Sequence, residues 1–229
     1  MPYVLLTGLL LLLAWAPSVW VRSRMRRHGV DRPDLPGTGA ELARHLIDRF
    51  GLEGVTVERT DPLRHHYDPG ARAVRLGPDV YDGRSLTAVA VAAHEVGHAI
   101  QFGRDEPVSR LRRKWLPLAN RLKQAGLLVL AAMPVLALLA RSPGAIVALV
   151  ALSLALQLAG VLAHLIVLPE EWDASFVKAL PVLAEGEYVD EADLPAVREV
   201  LKAAAFTYAA RALADLVNVG RWATILLRR

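Results

Sequence analysis

The chain has 229 residues, 54% of them hydrophobic and 22% charged, with a formal net charge of +4 and a mean hydropathy of +0.31. A chain this apolar is neither disordered nor collagen-like. It has no cysteine, so a disulfide framework and a cysteine-ligated zinc site are both excluded.

The apolar surplus is concentrated. Residues 3–21 (YVLLTGLLLLLAWAPSVWV) carry no charge, and about 20 apolar residues suffice to cross ~30 Å of hydrocarbon as a helix. No Lys or Arg precedes this stretch, whereas Arg22, Arg24, Arg26 and Arg27 follow it. That asymmetry reads as an N-terminal transmembrane anchor with residue 22 onward in the cytoplasm, rather than as a cleaved signal. Trp15 and Trp20 suit the membrane interface.

Residues 38–51 (TGAELARHLIDRFG) form an amphipathic helix pattern with Thr38 as its cap and Gly51 as its stop. Val55 to Val57 alternates like a strand. Arg64 to Leu76 (RHHYDPGARAVRL) reads as a hairpin turning over Asp68-Pro69-Gly70, its second strand at Ala73-Val74-Arg75-Leu76. His65 and His66 then fall on the hairpin surface. Ser85 caps a helix expected to run to about residue 103.

Arg110, Arg112, Arg113, Lys114, Arg121 and Lys123 come next, a basic flank that suits a cytoplasmic membrane surface rather than nucleic acid. Two further uncharged runs follow at 124–140 and 144–168, and only residues 141–143 separate them. So short a turn makes a transmembrane hairpin, returning the chain at residue 169 to the side that holds residues 22–123. Pro134 is a tolerated kink. His164, inside the third run, is read as a packing or interhelical hydrogen-bonding residue. Residues 169–229 hold helices of amphipathic character, the last beginning at Asp193-Leu194-Pro195, with Arg211 and Asp215 spaced to pair.

The chemistry lies in His94-Glu95-Val96-Gly97-His98, an H-E-x-x-H motif on the helix capped by Ser85. Four helical residues rotate by about 400°, which puts both imidazoles on one face, one turn apart, where they can grip one zinc ion. Glu95 stands where a general base takes a proton from an attacking water. A catalytic zinc takes a third protein ligand. The hairpin delivers Glu170, Glu171 and Asp173 to the same membrane side, and the residues alone do not choose among them.

Four blocks in order, HHYDP (65–69), RSLTAVAVAAHEVGHAIQ (84–101), LPEEWDAS (168–175) and AAAFTYAA (203–210), resemble the YugP-type neutral zinc metallopeptidases. These are gluzincin-like integral-membrane enzymes of prokaryotes. The resemblance runs from about residue 38 to the C-terminus. The family pattern near the third block is similar to V-E-F-D-A-S. This implies Glu171 as the third zinc ligand and Asp173 as a partner that orients a ligand histidine. Here Glu170 replaces an apolar residue and Trp172 a phenylalanine. Tyr208, in the fourth block, is a candidate oxyanion donor. A zinc at the cytoplasmic face also resembles the arrangement of HtpX-type membrane proteases.

The expected fold is mainly α and integral to the membrane. It has about three transmembrane helices and a small zincin-like α+β catalytic portion containing a short β-hairpin or sheet. Its parts are an anchor at 3–21, a cytoplasmic portion at 22–123, a transmembrane hairpin at 124–168, and third-ligand and C-terminal helices at 169–229. Together they make one integrated catalytic domain. The expected activity is zinc endopeptidase, with one Zn²⁺ per chain, a peptide or protein substrate, the lipid bilayer as partner and no nucleic acid. Ala73, Val74, Arg75 and Leu76 are candidates for the strand edge that aligns substrate. A zinc hydrolase of an amphipathic non-peptide substrate and a non-catalytic metal-binding scaffold are the alternatives.

Overall fold

The computed structural model describes residues 2–140, 142–210 and 212–213. In chain order the elements are α1 (Pro2–Arg27), α2 (Gly39–Arg49), β1 (Thr56–Arg59), β2 (His66–Asp68), β3 (Ala73–Leu76), α3 (Pro78–Tyr81) and α4 (Leu86–Gly103). There follow α5 (Pro107–Ala140), α6 (Pro143–Leu165), α7 (Leu168–Trp172), a π-helical turn (Asp173–Ala179), α8 (Leu180–Glu185), a 3₁₀ turn (Glu191–Asp193) and α9 (Leu194–Ala205). The described residues are thus mainly helical, with one three-stranded sheet among them. The chain divides into two compact units. One holds the described residues of Met1–Ser18, Leu111–Val167 and Tyr208–Arg229, and the other holds Val19–Arg110 and Leu168–Thr207.

In the first unit α5 and α6 pack as an antiparallel pair. Ser153 Oγ donates to the Gly126 carbonyl at 2.8 Å, and Gln157 Nε2 donates to Ser153 Oγ at 3.2 Å. Gly126 and Gly160 permit the close approach, since a Cβ at Gly126 would stand 2.9 Å from Ser153 O and one at Gly160 2.9 Å from Lys123 Cβ. The expected second apolar segment is not a helix of its own. It is the latter part of the 34-residue α5, which is continuous with the basic flank. Among the described residues one helical window, Gly144–Leu162 in α6, is long and apolar enough to cross a membrane.

The second unit is built around α4. Every residue from Leu86 to Gln101 is buried, and a helix buried on all sides needs apolar, small residues all round. Ala88, Ala90, Ala92, Ala93, Gly97 and Ala99 supply them, leaving room for α2, α9, the sheet and the π turn. Ser85 Oγ accepts from Ala88 N at 3.0 Å, the expected cap. A second first-turn donor is met from far away in the chain, where Thr87 N donates to the His28 carbonyl at 3.0 Å. The Thr87 hydroxyl donates to the Met25 carbonyl at 2.8 Å, so the chain leaving α1 closes the start of α4. Glu199 of α9 holds the same segment through Arg24 and His28, each 3.1 Å away.

Helix α2 has the expected Thr38 cap, reinforced by Glu41 in a reciprocal capping box. The hairpin pairs His66 with Arg75, Tyr67 with Val74 and Asp68 with Ala73. Its turn is held by Asp68 Oδ1, which accepts from Gly70 N at 2.9 Å and Ala71 N at 3.1 Å. Strand β1 lies parallel to β3 on the other side, giving the order β1-β3-β2. Asp193 precedes α9 as expected but makes no side-chain cap. Its carboxylate instead accepts from Arg32, 2.9 Å from Nη2.

Gly97 is where α4 meets the π turn. A Cβ there would sit 2.8 Å from Ala174 O and 3.3 Å from Ala174 Cα, both backbone atoms. Gly97→Ala gains about 1 kcal/mol of helix propensity. The forced shift costs about 1–3 kcal/mol, so the variant is expected to melt at a lower temperature than the parent. A rise in melting temperature would show that propensity outweighs the contact.

Candidate metal centre

His94 and His98 project from the middle of α4, both buried, with ring centroids 4.7 Å apart and planes at 80°. The third group comes from α7, 73 positions beyond His98 in the sequence. Glu171 Oε2 lies 3.3 Å from His94 Nε2 and 3.4 Å from His98 Nε2. Ligand atoms at about 2.0–2.1 Å from a tetrahedral zinc stand roughly 3.3–3.4 Å from one another. The separations therefore match two edges of such a tetrahedron. Two imidazole nitrogens and a carboxylate facing one another while buried call for a cation between them, and this donor set fits zinc. Burial alone would raise the Glu171 carboxyl. The neighbouring His98 and His94 side chains outweigh it and hold the carboxyl well below the usual range.

The far nitrogens of both rings are also engaged. Ser175 Oγ is 3.0 Å from His94 Nδ1 and donates its only proton to the Leu201 carbonyl at 3.2 Å. It therefore accepts from His94 Nδ1–H, which in the neutral ring leaves the Nε2 lone pair toward Glu171. Gln101 does the same for His98. Its Nε2 donates to the Glu170 carbonyl at 2.9 Å and to Asp173 Oδ2 at 2.8 Å, so its Oε1 accepts from His98 Nδ1–H at 2.9 Å.

Of the expected site residues, His94, Glu95, His98 and Glu171 come together. One ligand atom each from His94, Glu95 and His98 lies within 4.8 Å of the others, and a second such group joins His98, Glu170 and Glu171. Glu170 is buried too, but its Oε1 is 3.9 Å from His98 Nδ1, the nitrogen that faces away from the ligand cluster. Asp173 is linked to His98 through Gln101. Tyr208 belongs to the other compact unit, where Arg112 Nη2 donates to its hydroxyl at 3.1 Å.

The substrate-edge expectation for Ala73, Val74, Arg75 and Leu76 is corrected. They form β3, the central strand, paired with β1 on one side and β2 on the other, so no edge is free there. His65 is also not a surface residue. Its side chain is 13% exposed, its Nδ1 accepts from Gly77 N at 3.0 Å, and its Nε2 lies 3.8 Å from Asp79 Oδ2. Burial lowers its pKa, against the opposing pull of Asp79 and then Glu95. His66 donates from Nδ1 to the Arg64 carbonyl at 3.0 Å. The side chain of His164, together with Arg211 and Asp215, lies outside the described residues.

Sequence reasoning passed over Gln101, Ser175, Gly97 and Lys178. A signal existed for the first, since Gln101 stands three positions after His98, on the same helix face. None existed for Lys178, because its contacts depend on a π-helical turn.

Residues 3–227 match the family described as "Putative neutral zinc metallopeptidase". The chain is 36% identical over 228 residues to "Putative membrane protease YugP" of Bacillus subtilis (strain 168), covering 99% of this chain and 97% of that protein. No solved structure matches it.

Proposed function

The chain belongs to the neutral zinc metallopeptidase family, and from that membership we propose that it is a membrane-bound zinc endopeptidase. Zinc is its cofactor, held by His94, His98 and Glu171. The observation that carries the reading is the pair of 3.3 Å and 3.4 Å separations from Glu171 Oε2 to the two histidine nitrogens.

When bound, zinc supplies Lewis-acid polarisation of the scissile carbonyl and acidifies water. The rest of the work belongs to side chains of the chain. Glu95, buried on the same turn as the histidines, takes a proton from the attacking water and hands it to the leaving amine. Ser175 and Gln101 accept from the far nitrogens of both imidazoles and so aim the Nε2 atoms inward. The apolar faces of α4 exclude bulk water, which strengthens every charge interaction in the site. An extended peptide would be aligned along β2 (His66–Asp68), an outer strand of the sheet, in place of β3. The catalytic portion draws on the segments before α5 and after α6 as one domain. The basic stretches after residue 21 and before residue 124 favour the cytoplasmic face and a multi-pass topology.

Inverted membrane vesicles carrying the full chain are expected to cleave added casein, lose that activity to a zinc chelator, and regain it with Zn²⁺. Cleavage that persists after the zinc is stripped would sink the zinc mechanism. Cleavage confined to right-side-out vesicles would reverse the assigned face.

A further inference from the structure

Building on the zinc reading above, we propose that Lys178 is a positioning residue of the metal centre, acting through Asp173 and Gln101 on His98. The Gln101 side chain is fully buried, and both ends of its amide are committed. A carboxamide's oxygen and nitrogen ends are nearly the same size, so packing does not decide which end faces the histidine. Hydrogen bonding decides it. With its NH₂ toward the Glu170 carbonyl and the Asp173 carboxylate, Gln101 satisfies two acceptors and turns its oxygen to His98 Nδ1–H. Rotated by half a turn, the amide would donate to Nδ1. The imidazole proton would then move to Nε2, the atom that must offer a lone pair beside Glu171.

Two acceptors thus hold the correct rotamer, and one of them is itself held. The Lys178 ammonium bonds Asp173 Oδ2 and lies 2.8 Å from Glu106 Oε2. Its side chain is 11% exposed, so this is no solvated surface pair. The juxtaposition depends on backbone form. Residues 173 and 178 stand five positions apart, which in an α-helix puts them roughly 140° apart around the axis. In the π-helical turn, where Leu180 N bonds back to the Ser175 carbonyl, residues five apart fall on one side. The turn therefore brings the ammonium onto the carboxylate that orients Gln101. Glu106, in the loop ahead of α5, anchors the ammonium from the other side.

The test is zinc affinity of the detergent-solubilised full chain, measured by competition with a chromophoric chelator, alongside the visible spectrum of the Co²⁺-substituted protein. Outer partners of metal ligands typically contribute about 10–100-fold to affinity. Lys178→Met is expected to weaken zinc by that factor and alter the Co²⁺ bands, while Lys178→Arg recovers most of the loss. In a Gln101→Met background the Lys178 substitution should cost no more than about twofold further, because the route through the amide is already gone. Should Lys178→Met not fold, Asp173→Asn removes the same charge contact with little change of shape and is expected to behave alike. Unchanged zinc affinity in the variant that folds, or a full additional loss in the Gln101→Met background, would overturn the proposal. A wild-type chain that binds no zinc would instead overturn the zinc reading itself.

Discussion

Glu95→Gln is expected to retain zinc at the wild-type ratio while peptide turnover falls by about 10²–10⁴-fold, the usual contribution of a positioned general base. The amide has the size of the carboxyl but cannot accept and return a proton. Glu95 is buried among the α4 residues, so the substitution also removes a buried charge without opening a cavity. The loss should appear in kcat with KM nearly unchanged, because proton transfer belongs to the transition state. Metal content by elemental analysis and kcat on a peptide substrate check the two halves. Wild-type turnover in the variant would remove Glu95 from the mechanism, and loss of zinc would make it a ligand instead.

The second large effect separates the adjacent glutamates. Glu171→Gln is expected to weaken zinc on the order of 10²-fold or more. Structural zinc sites with four protein ligands have binding energies of roughly 10–16 kcal/mol, about 3 kcal/mol for each ligand. Glu170→Gln should stay within about tenfold of wild type, because the contact of Glu170 with Gln101 runs through its backbone carbonyl and that substitution leaves it in place. Its carboxylate faces the Nδ1 side of His98 rather than the ligand side. Competition titrations on both variants decide the matter, and the reverse ranking would transfer the ligand role to Glu170.

Much of the unit around α4 was legible locally. The Ser85 cap, the run of α4 to Gly103, the Thr38 cap and the His66–Leu76 hairpin all follow from signals within a few residues of the element they describe. Other features were not. Asp193 has the chemistry of a cap, yet its carboxylate serves Arg32, 161 positions away. Ala73–Leu76 has the pattern of a strand. A four-residue pattern does not say how many neighbours a strand will have, and β1 takes the side that an edge would have offered. The π turn has no composition of its own, so a reading with α-helical period could not bring Lys178 to Asp173.

By itself, the sequence determined the grouping of His94, Glu95 and His98, because the period of an α-helix brings them together wherever that helix lies. It also determined the family, through motif blocks that hold their order along the chain. The resemblance already implied Glu171; only the tertiary structure brought its Oε2 to the two Nε2 atoms and decided which groups hold the far side of each ring. Glu171, Ser175 and the Glu170 carbonyl lie some 70 to 80 positions from the residues they serve. Contacts at that range depend on how α4 packs against the π turn at Gly97, and helix periodicity carries no information about that packing.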